Sequence, residues 1–340
     1  MTTEADLCAE VGLVIFPDCQ LSAVYGLTDV FRIAGEMSAA RAEGGTAHAV
    51  RVSHWQLSPD GSDVVCSYDS HPGLPHRLTY LITPPSLIVP SRMQPMGRLT
   101  DWLAGRHAAG ATLVSVCAGA FLVAETGLLD GRTATTHWAF AAELARRYPS
   151  IRVDSSRMVI DDGDIVTAGG ILAWTDLGLT LVARHLGPTV MLDTARFLLI
   201  DPPGRLQQPY GGFVDRRDHG DAAILKAQLW MHGNGAREHA IPELAEISGL
   251  GERTFQRRFQ KATGMKATEY AQQIRIERAR EALELTRKPV EQVAWDVGYG
   301  DPSAFRRIFQ RITGLAPADY RRRFGLMQRE AAGPAGGATA

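Results

Sequence analysis

The chain has 340 residues, enough for two domains, and its hydrophobic content of 45% suits ordinary buried cores. Its net charge of −1 conceals an asymmetry: residues 216–340 carry 21 Lys and Arg against 15 Asp and Glu, whereas residues 1–215 carry 15 against 22. The basic part suits phosphate neutralisation and the acidic part would repel a nucleic acid, so the two parts are expected to have different partners.

Four cysteines, Cys8, Cys19, Cys66 and Cys117, form no CxxC pair, so neither a zinc site nor a disulfide framework is expected. The residues up to Glu10 are acidic and lack an apolar signal core. The apolar stretch near Ile171 to Leu186 is interrupted by Asp176 and Arg184, so no membrane span is expected and the cytoplasm is the expected location.

Val11 to Phe16, bounded by Pro17, reads as a buried strand. Leu21 to Met37 has helical spacing in Leu21, Val24, Tyr25, Val30, Phe31, Ile33 and Ala34. His48 to Ser53 reads as a second strand, Val64 to Ser67 as a short one, and Leu87-Ile88-Val89, ended by Pro90, as the third clear apolar run. A helix follows over Met96 to Ala109 and a strand over Thr112 to Val116. This β-α-β order predicts an α/β domain with a parallel sheet covered by helices on both faces.

Thr112 onward carries the chemistry. Small residues surround a single cysteine between strand and helix in Val116-Cys117-Ala118-Gly119-Ala120, the pattern of a nucleophile elbow. A thiol there sits at the carboxyl end of the strands, where open sheets bind ligands, and at a helix N-terminus, which lowers a thiol pKa. A buried cysteine acting as a small apolar residue explains the same pattern, and the residues alone leave both readings open.

The segment Val116 to Ala124, with Gly127-Leu128-Leu129-Asp130-Gly131-Arg132 and Ala134-Thr135-Thr136-His137-Trp138, resembles the class I glutamine amidotransferase-like, PfpI-type domain. The resemblance implies a flavodoxin-like, doubly wound parallel sheet. Enzymes of this fold need a base or orienting group beside the thiol. Relatives often carry His after the cysteine, where this chain has Ala118, and an acid on the first helix, where alignment places Ala23. The oxyanion-hole glycines expected after the third strand are replaced by Pro90-Ser91-Arg92. No catalytic residues, cofactor or metal are therefore expected. Cys117, His137 and Trp138 are expected to line an effector pocket, with Gly169-Gly170 at its rim. His137 is alternatively structural, and Trp138 is core or pocket wall. The resemblance suggests a nitrogenous effector such as an amino acid or amine, which an aromatic wall would favour as a cation.

Met158 to Asp161 and Asp164 to Thr167 read as a hairpin around Asp162-Gly163. Two helices, Leu172 to Leu186 and Pro188 to Leu199, follow with wide apolar faces that suit packing on the sheet, homodimerisation, or both. Asp201 to Gly220, with Pro202-Pro203-Gly204, Pro209 and Gly211-Gly212, reads as a linker. The expected organisation is thus a sensing and dimerisation domain over 1–200, a linker over 201–220, a second domain over 221–325 and a disordered, small-residue tail over 326–340.

The second domain says the same thing twice. Leu244-Ala245 and Gly249 match Val293-Ala294 and Gly298, and after a one-residue insertion Phe255, Arg257, Phe259-Gln260, Thr263-Gly264 and Tyr270 match Phe305, Arg307, Phe309-Gln310, Thr313-Gly314 and Tyr320. Each copy reads as helix, glycine turn, helix. Phe255 and Phe259 are i and i+4 on one buried face, as are Phe305 and Phe309. Asp301 is a helix cap with Pro302 in the first turn. A long charged helix, Thr268 to Thr286, separates the copies.

A helical bundle with solvated arginines is the bland reading, and the matched glycines and polar faces argue against it. The stretch Gly298-Tyr299, Asp301, Ser303, Phe305, Arg307, Phe309, Thr313-Gly314, Pro317 and Tyr320-Arg321 resembles the C-terminal signature of AraC/XylS transcriptional regulators. That implies an all-α domain of two helix-turn-helix units joined by a long helix, each placing its second helix in the DNA major groove. Carried over by position, the DNA-binding residues are Arg253, Gln256 and Arg257 in one unit and Ser303, Arg306 and Arg307 in the other. Arg pairs with guanine and Gln with adenine through two hydrogen bonds each. The order of the two domains is that of the GlxA-like subgroup, which implies a transcriptional regulator that binds double-stranded DNA, senses a small molecule without turning it over and forms a homodimer. A Cys117-dependent hydrolase or isomerase joined to DNA-binding units, and a Cys117 redox sensor, are the alternatives.

Overall fold

The structure is a computed structural model that describes residues 7–42, 47–234 and 241–326. The chain divides into two compact units between Gln207 and Gln208. The first opens with β1 (Leu7–Ile15), α1 (Leu21–Arg41), β2 (Ala49–Leu57), β3 (Val64–Asp69), β4 (Tyr80–Thr83), α2 (Gly97–Ala108) and β5 (Thr112–Val116). It continues with α3 (Gly119–Glu125), β6 (Thr133–Ala134), α4 (Ala141–Arg147), β7 (Arg152–Val153), β8 (Val159–Asp161), β9 (Ile165–Ala168) and α5 (Trp174–Leu198).

Seven strands form one sheet in the order β3-β2-β1-β4-β5-β9-β8. The inner five are parallel, and β3 and β8 are antiparallel edges. The inner strands are apolar on both faces, which is why helices cover both. Leu13 and Val114 pack with α1 and α5 on one side, and Val14 and Leu113 with α2 and α3 on the other. The expected α/β sheet is the one observed.

One expectation is corrected and another is met in detail. Leu87-Ile88-Val89 is not a strand: β4 lies earlier, at Tyr80–Thr83, and Leu87 is 65% exposed. Pro84 and Pro85 have no N–H for a ladder and end the strand, after which the apolar run is loop. The two helices expected after the hairpin are observed: they run on within α5 and are separated at Gly187, whose φ 88° and ψ 162° are not helical. A glycine adopts that conformation cheaply, and Pro188 disfavours a helical conformation in the residue before it.

The second unit comprises α6 (Ala222–Gly233), α7 (Ile241–Ile247), α8 (Glu252–Thr263), α9 (Ala267–Leu285), α10 (Val290–Asp296), α11 (Pro302–Thr313) and α12 (Pro317–Phe324). The repeat in sequence is a repeat in geometry. The turns between paired helices contain Gly249 at φ 66° and Gly298 at φ 86°, a left-handed region that side chains resist. Phe255 and Phe259 stack at 5.4 Å and Phe305 and Phe309 at 5.5 Å. Tyr270 meets Phe259, and Tyr320 meets Phe309, at the same 5.3 Å and 85°. The long helix α9 serves both cores: Ala267, Tyr270 and Ile274 belong to one, Ile276, Ala279 and Leu283 to the other. Apart from Leu326, the tail expected to be disordered lies outside the described residues.

Candidate functional site

In the first unit the elbow is real as backbone. Cys117 follows β5 at φ 54°, a left-handed conformation rare for a side-chain-bearing residue and typical of strained functional turns. The Cys117 amide donates to Ala168 O of β9 at 2.8 Å, and Ala120 N donates to Cys117 O at 3.2 Å. Gly119 must lack a side chain, because a Cβ there would lie 2.3 Å from Thr83 O.

Cys117 lies within the hydrophobic core that α1 and α5 form on the sheet. Cys117 is 1% exposed, and burial pushes its thiol up to about 12, opposed only weakly by a hydrogen bond from the Ala118 amide. Among the described residues no side chain hydrogen-bonds to its sulfur. Ala23, where alignment places the family acid, is wholly buried on α1. With β4 corrected to Tyr80–Thr83, the residues that follow it are Pro84-Pro85, and neither has an N–H for an oxyanion. The place assigned from the sequence, Pro90-Ser91-Arg92, is instead a short 3-10 turn further on.

His137 and Trp138 follow β6. The His137 ring lies 5.2 Å from Trp138 and 5.3 Å from Phe140, and its Nδ1 accepts from Ala139 N at 3.1 Å. Burial lowers its pKa, which keeps it neutral at pH 7. Its neighbour Thr136 ties this segment to the elbow, donating from Oγ1 to Cys117 O at 2.7 Å. No direct His137–Cys117 hydrogen bond is formed.

One residue at this place was invisible in the sequence. Gln207, in the stretch read as linker, is 2% exposed. Its Nε2 donates to Thr135 Oγ1, Thr136 O and Arg157 O, each at 3.0 Å, and its Oε1 accepts from Trp138 N at 3.2 Å and Gly170 N at 3.3 Å. Gly169 makes room for it, since a Cβ there would lie 1.9 Å from Nε2. The Gly169-Gly170 pair was the one available signal. Arg205, two residues earlier, pairs through its guanidinium with the buried carboxylate of Asp176 on α5.

In the second unit the two glycine turns present α8 and α11 with matching faces. Arg253, Gln256 and Arg257 are exposed on α8, and Ser303, Arg306 and Arg307 on α11. Phe255, Phe259, Phe305 and Phe309 are wholly buried beneath them. Asp301 caps α11 through Ser303 N at 2.8 Å and Ala304 N at 3.0 Å, and these bonds hold its carboxyl below the usual range. The faces are not equally free. Arg306 pairs with Glu291 of α10, whereas Arg253 and Arg257 have no ion pair among the described residues. Arg258, on the flank of α8, is a different kind of arginine: it forks onto Asp221, the cap of α6, at 2.9 and 2.7 Å.

Residues 244–323 match a helix-turn-helix domain family, and residues 88–184 match the DJ-1/PfpI family. Among curated proteins, an HTH-type transcriptional regulator of Mycobacterium tuberculosis is 32% identical over 235 residues, 66% of this chain and 88% of that protein. The HTH-type transcriptional regulator CdhR of Pseudomonas aeruginosa is 28% identical over 280 residues, 78% of this chain and 80% of its own length. The HTH-type transcriptional regulator GlxA of Rhizobium meliloti is 27% identical over 219 residues, covering 64% and 67%. Among the described residues no helix is long and apolar enough to cross a membrane.

Proposed function

The chain belongs to the AraC-type helix-turn-helix transcriptional regulators that carry a DJ-1/PfpI domain, and we propose that this domain holds a small-molecule effector without transforming it. The chain is a DNA-binding transcriptional regulator of that family. The observation that carries the proposal is the state of Cys117, an elbow cysteine that is buried, protonated and without an acid or base bonded to it. A thiol held at about 12 is almost wholly un-ionised at pH 7, so neither acyl transfer nor peroxide oxidation is favoured there. We place the effector beside Cys117, His137 and Trp138, and read it as a small nitrogenous metabolite such as an amino acid or amine. Gln207 bonds to the amide of Trp138 and the carbonyl of Thr136, and it is covalently followed by the first residue of the DNA-binding unit. In this reading Arg253, Gln256, Arg257, Ser303, Arg306 and Arg307 face DNA, the protein acts in the cytoplasm, and two copies associate through the first unit.

The test is a thermal-shift screen of the full chain against amino acids, amines and betaines. A ligand that binds only the folded state must raise the melting temperature, by about 2.7 kcal/mol of stability at a hundredfold excess over Kd. A compound that shifts the transition and is recovered unchanged supports the sensor. A compound consumed in a Cys117-dependent way establishes the enzyme instead.

A further inference from the structure

We propose that Gln208–Asp215 is a strap that fixes the separation of the two recognition helices, α8 and α11, with Gln208 and Tyr210 as positioning residues for DNA sites of one half-site spacing. The inference rests on the reading that both helices enter DNA. The strap lies wholly within the second unit and touches both halves of the repeat. It begins as a short 3-10 turn, Gln208–Tyr210, with Pro209 buried. Gln208 Nε2 donates to Arg311 O at 2.7 Å and Ile312 O at 3.2 Å. These belong to the last turn of α11, whose carbonyls have no partner inside the helix. The same side chain lies against the helix end, so that a Cβ on Gly314 would stand 3.0 Å from Gln208 Oε1.

Tyr210 then meets α12. Its hydroxyl accepts from Arg323 Nη2 at 2.6 Å, the Arg323 guanidinium lies 5.0 Å over its ring, and Phe324 meets it edge-on at 5.5 Å. Gly211 O accepts from Arg280, a buried arginine of α9 that lies over Tyr320 of the second core. Two residues on, Phe213 stands edge-on to Tyr270 at 4.8 Å in the first core. Asp215 closes the strap on His232 of α6 at 2.7 Å. In eight residues the chain therefore runs from the end of the second recognition helix across α9 to the first core.

The physical need is plain. Among the described residues the halves are otherwise joined by α9 and by lateral contacts such as Arg311 to Gln272 at 2.9 Å and Arg275 over Tyr299 at 5.5 Å. Each core packs on its own part of α9, so without further ties that helix would set their relative orientation. A hydrogen-bonded segment fastened to α11, α12, α9 and the first core adds such ties. DNA turns once in about 10–10.5 base pairs, so one inserted pair rotates the second subsite by roughly 34° and exposes any slack.

The experiment uses the full chain and a duplex that the wild type selects from a random-sequence pool. Binding is measured on that duplex, on versions with one base pair inserted or removed between the subsites, and on one with the α11 subsite scrambled. Gln208→Glu keeps the side-chain size and removes both donors, and Q208E/Y210A also removes the ring. The wild type is expected to lose about tenfold in affinity on the insertion, and both variants less than about threefold. Affinity for the scrambled duplex should equal that of the wild type. Variants that keep the full spacing penalty, or that weaken equally on the scrambled duplex, overturn the strap. If Q208E/Y210A does not fold, Tyr210→Phe, which removes only the hydroxyl contact, must still reduce the penalty. A wild type with no spacing penalty would overturn the two-helix reading itself.

Discussion

Gly169 admits Gln207 where a Cβ would collide with it, and that fit can be tested by a double-mutant cycle. A Cβ at position 169 would lie 1.9 Å from Gln207 Nε2 and 2.1 Å from Cδ, so Gly169→Ala must displace the amide by more than a hydrogen bond tolerates. That amide makes five hydrogen bonds, two of them from the Trp138 and Gly170 N–H groups. A buried donor or acceptor left unpaired costs about 1–3 kcal/mol, and partial rescue by water or relaxation reduces the sum. The expected cost is about 3 kcal/mol for Gly169→Ala and about the same for Gln207→Ala. In the double variant the new methyl occupies space the glutamine has vacated, so the total should stay near about 3 kcal/mol rather than double. For a unit of this size about 3 kcal/mol lowers Tm by roughly 6–12 °C. Calorimetry of the full chain resolves this. A double variant that falls by the sum of the two single effects would refute the claim that the glycine exists to admit Gln207.

Iodoacetamide at pH 8 should label the partly buried Cys66 before Cys117, and the difference should vanish in denaturant; early labelling of Cys117, read by peptide mass, would contradict its deep burial. The Arg132 guanidinium and His107 hold the Asp164 carboxyl at about 2, against an ordinary 3.8. A depressed carboxyl stabilises the fold above the ordinary value and loses that contribution as pH falls through the folded one, so the urea-midpoint difference between wild type and Asp164→Asn should close between about pH 4 and 2. Arg257→Ala should cost about 1–3 kcal/mol on a selected site and relax preference at one base position, and unchanged selection would remove Arg257 from base readout. Glu291→Ala removes an acid beside the α11 face and frees Arg306, so DNA binding should tighten about two- to fivefold at low salt, and by less in an Arg306→Ala background, where only the lost repulsion remains. Weaker binding in Glu291→Ala would mean that the pair holds Arg306 in its working position.

Short-range physics was legible in the sequence. A left-handed turn calls for glycine and a helix start for a cap, so Gly249, Gly298 and Asp301 located the second unit's helices closely. Apolar residues at i and i+4 identified the buried phenylalanines, and repetition of the whole pattern identified the duplicated unit. The small residues around Cys117 similarly forced an elbow. Hydrophobicity alone failed where strand and loop look alike: Leu87-Ile88-Val89 is as apolar as a strand, yet the prolines at 84 and 85 had already ended the ladder.

What the sequence could not determine were the pairings between residues far apart in the chain. A Pro- and Gly-rich stretch reads as linker because its local preferences favour no regular element. Nothing local reveals that Gln207 fills a cavity formed by segments some 40 to 70 positions earlier, or that Gln208 caps a helix some 100 positions later. Nor does it reveal whether a cysteine at an elbow is a nucleophile. The absent partners were legible, at Ala118 and Ala23, but desolvation was not: only the packed sheet shows that Cys117 is buried, which pushes its thiol up, and that two prolines follow β4 directly.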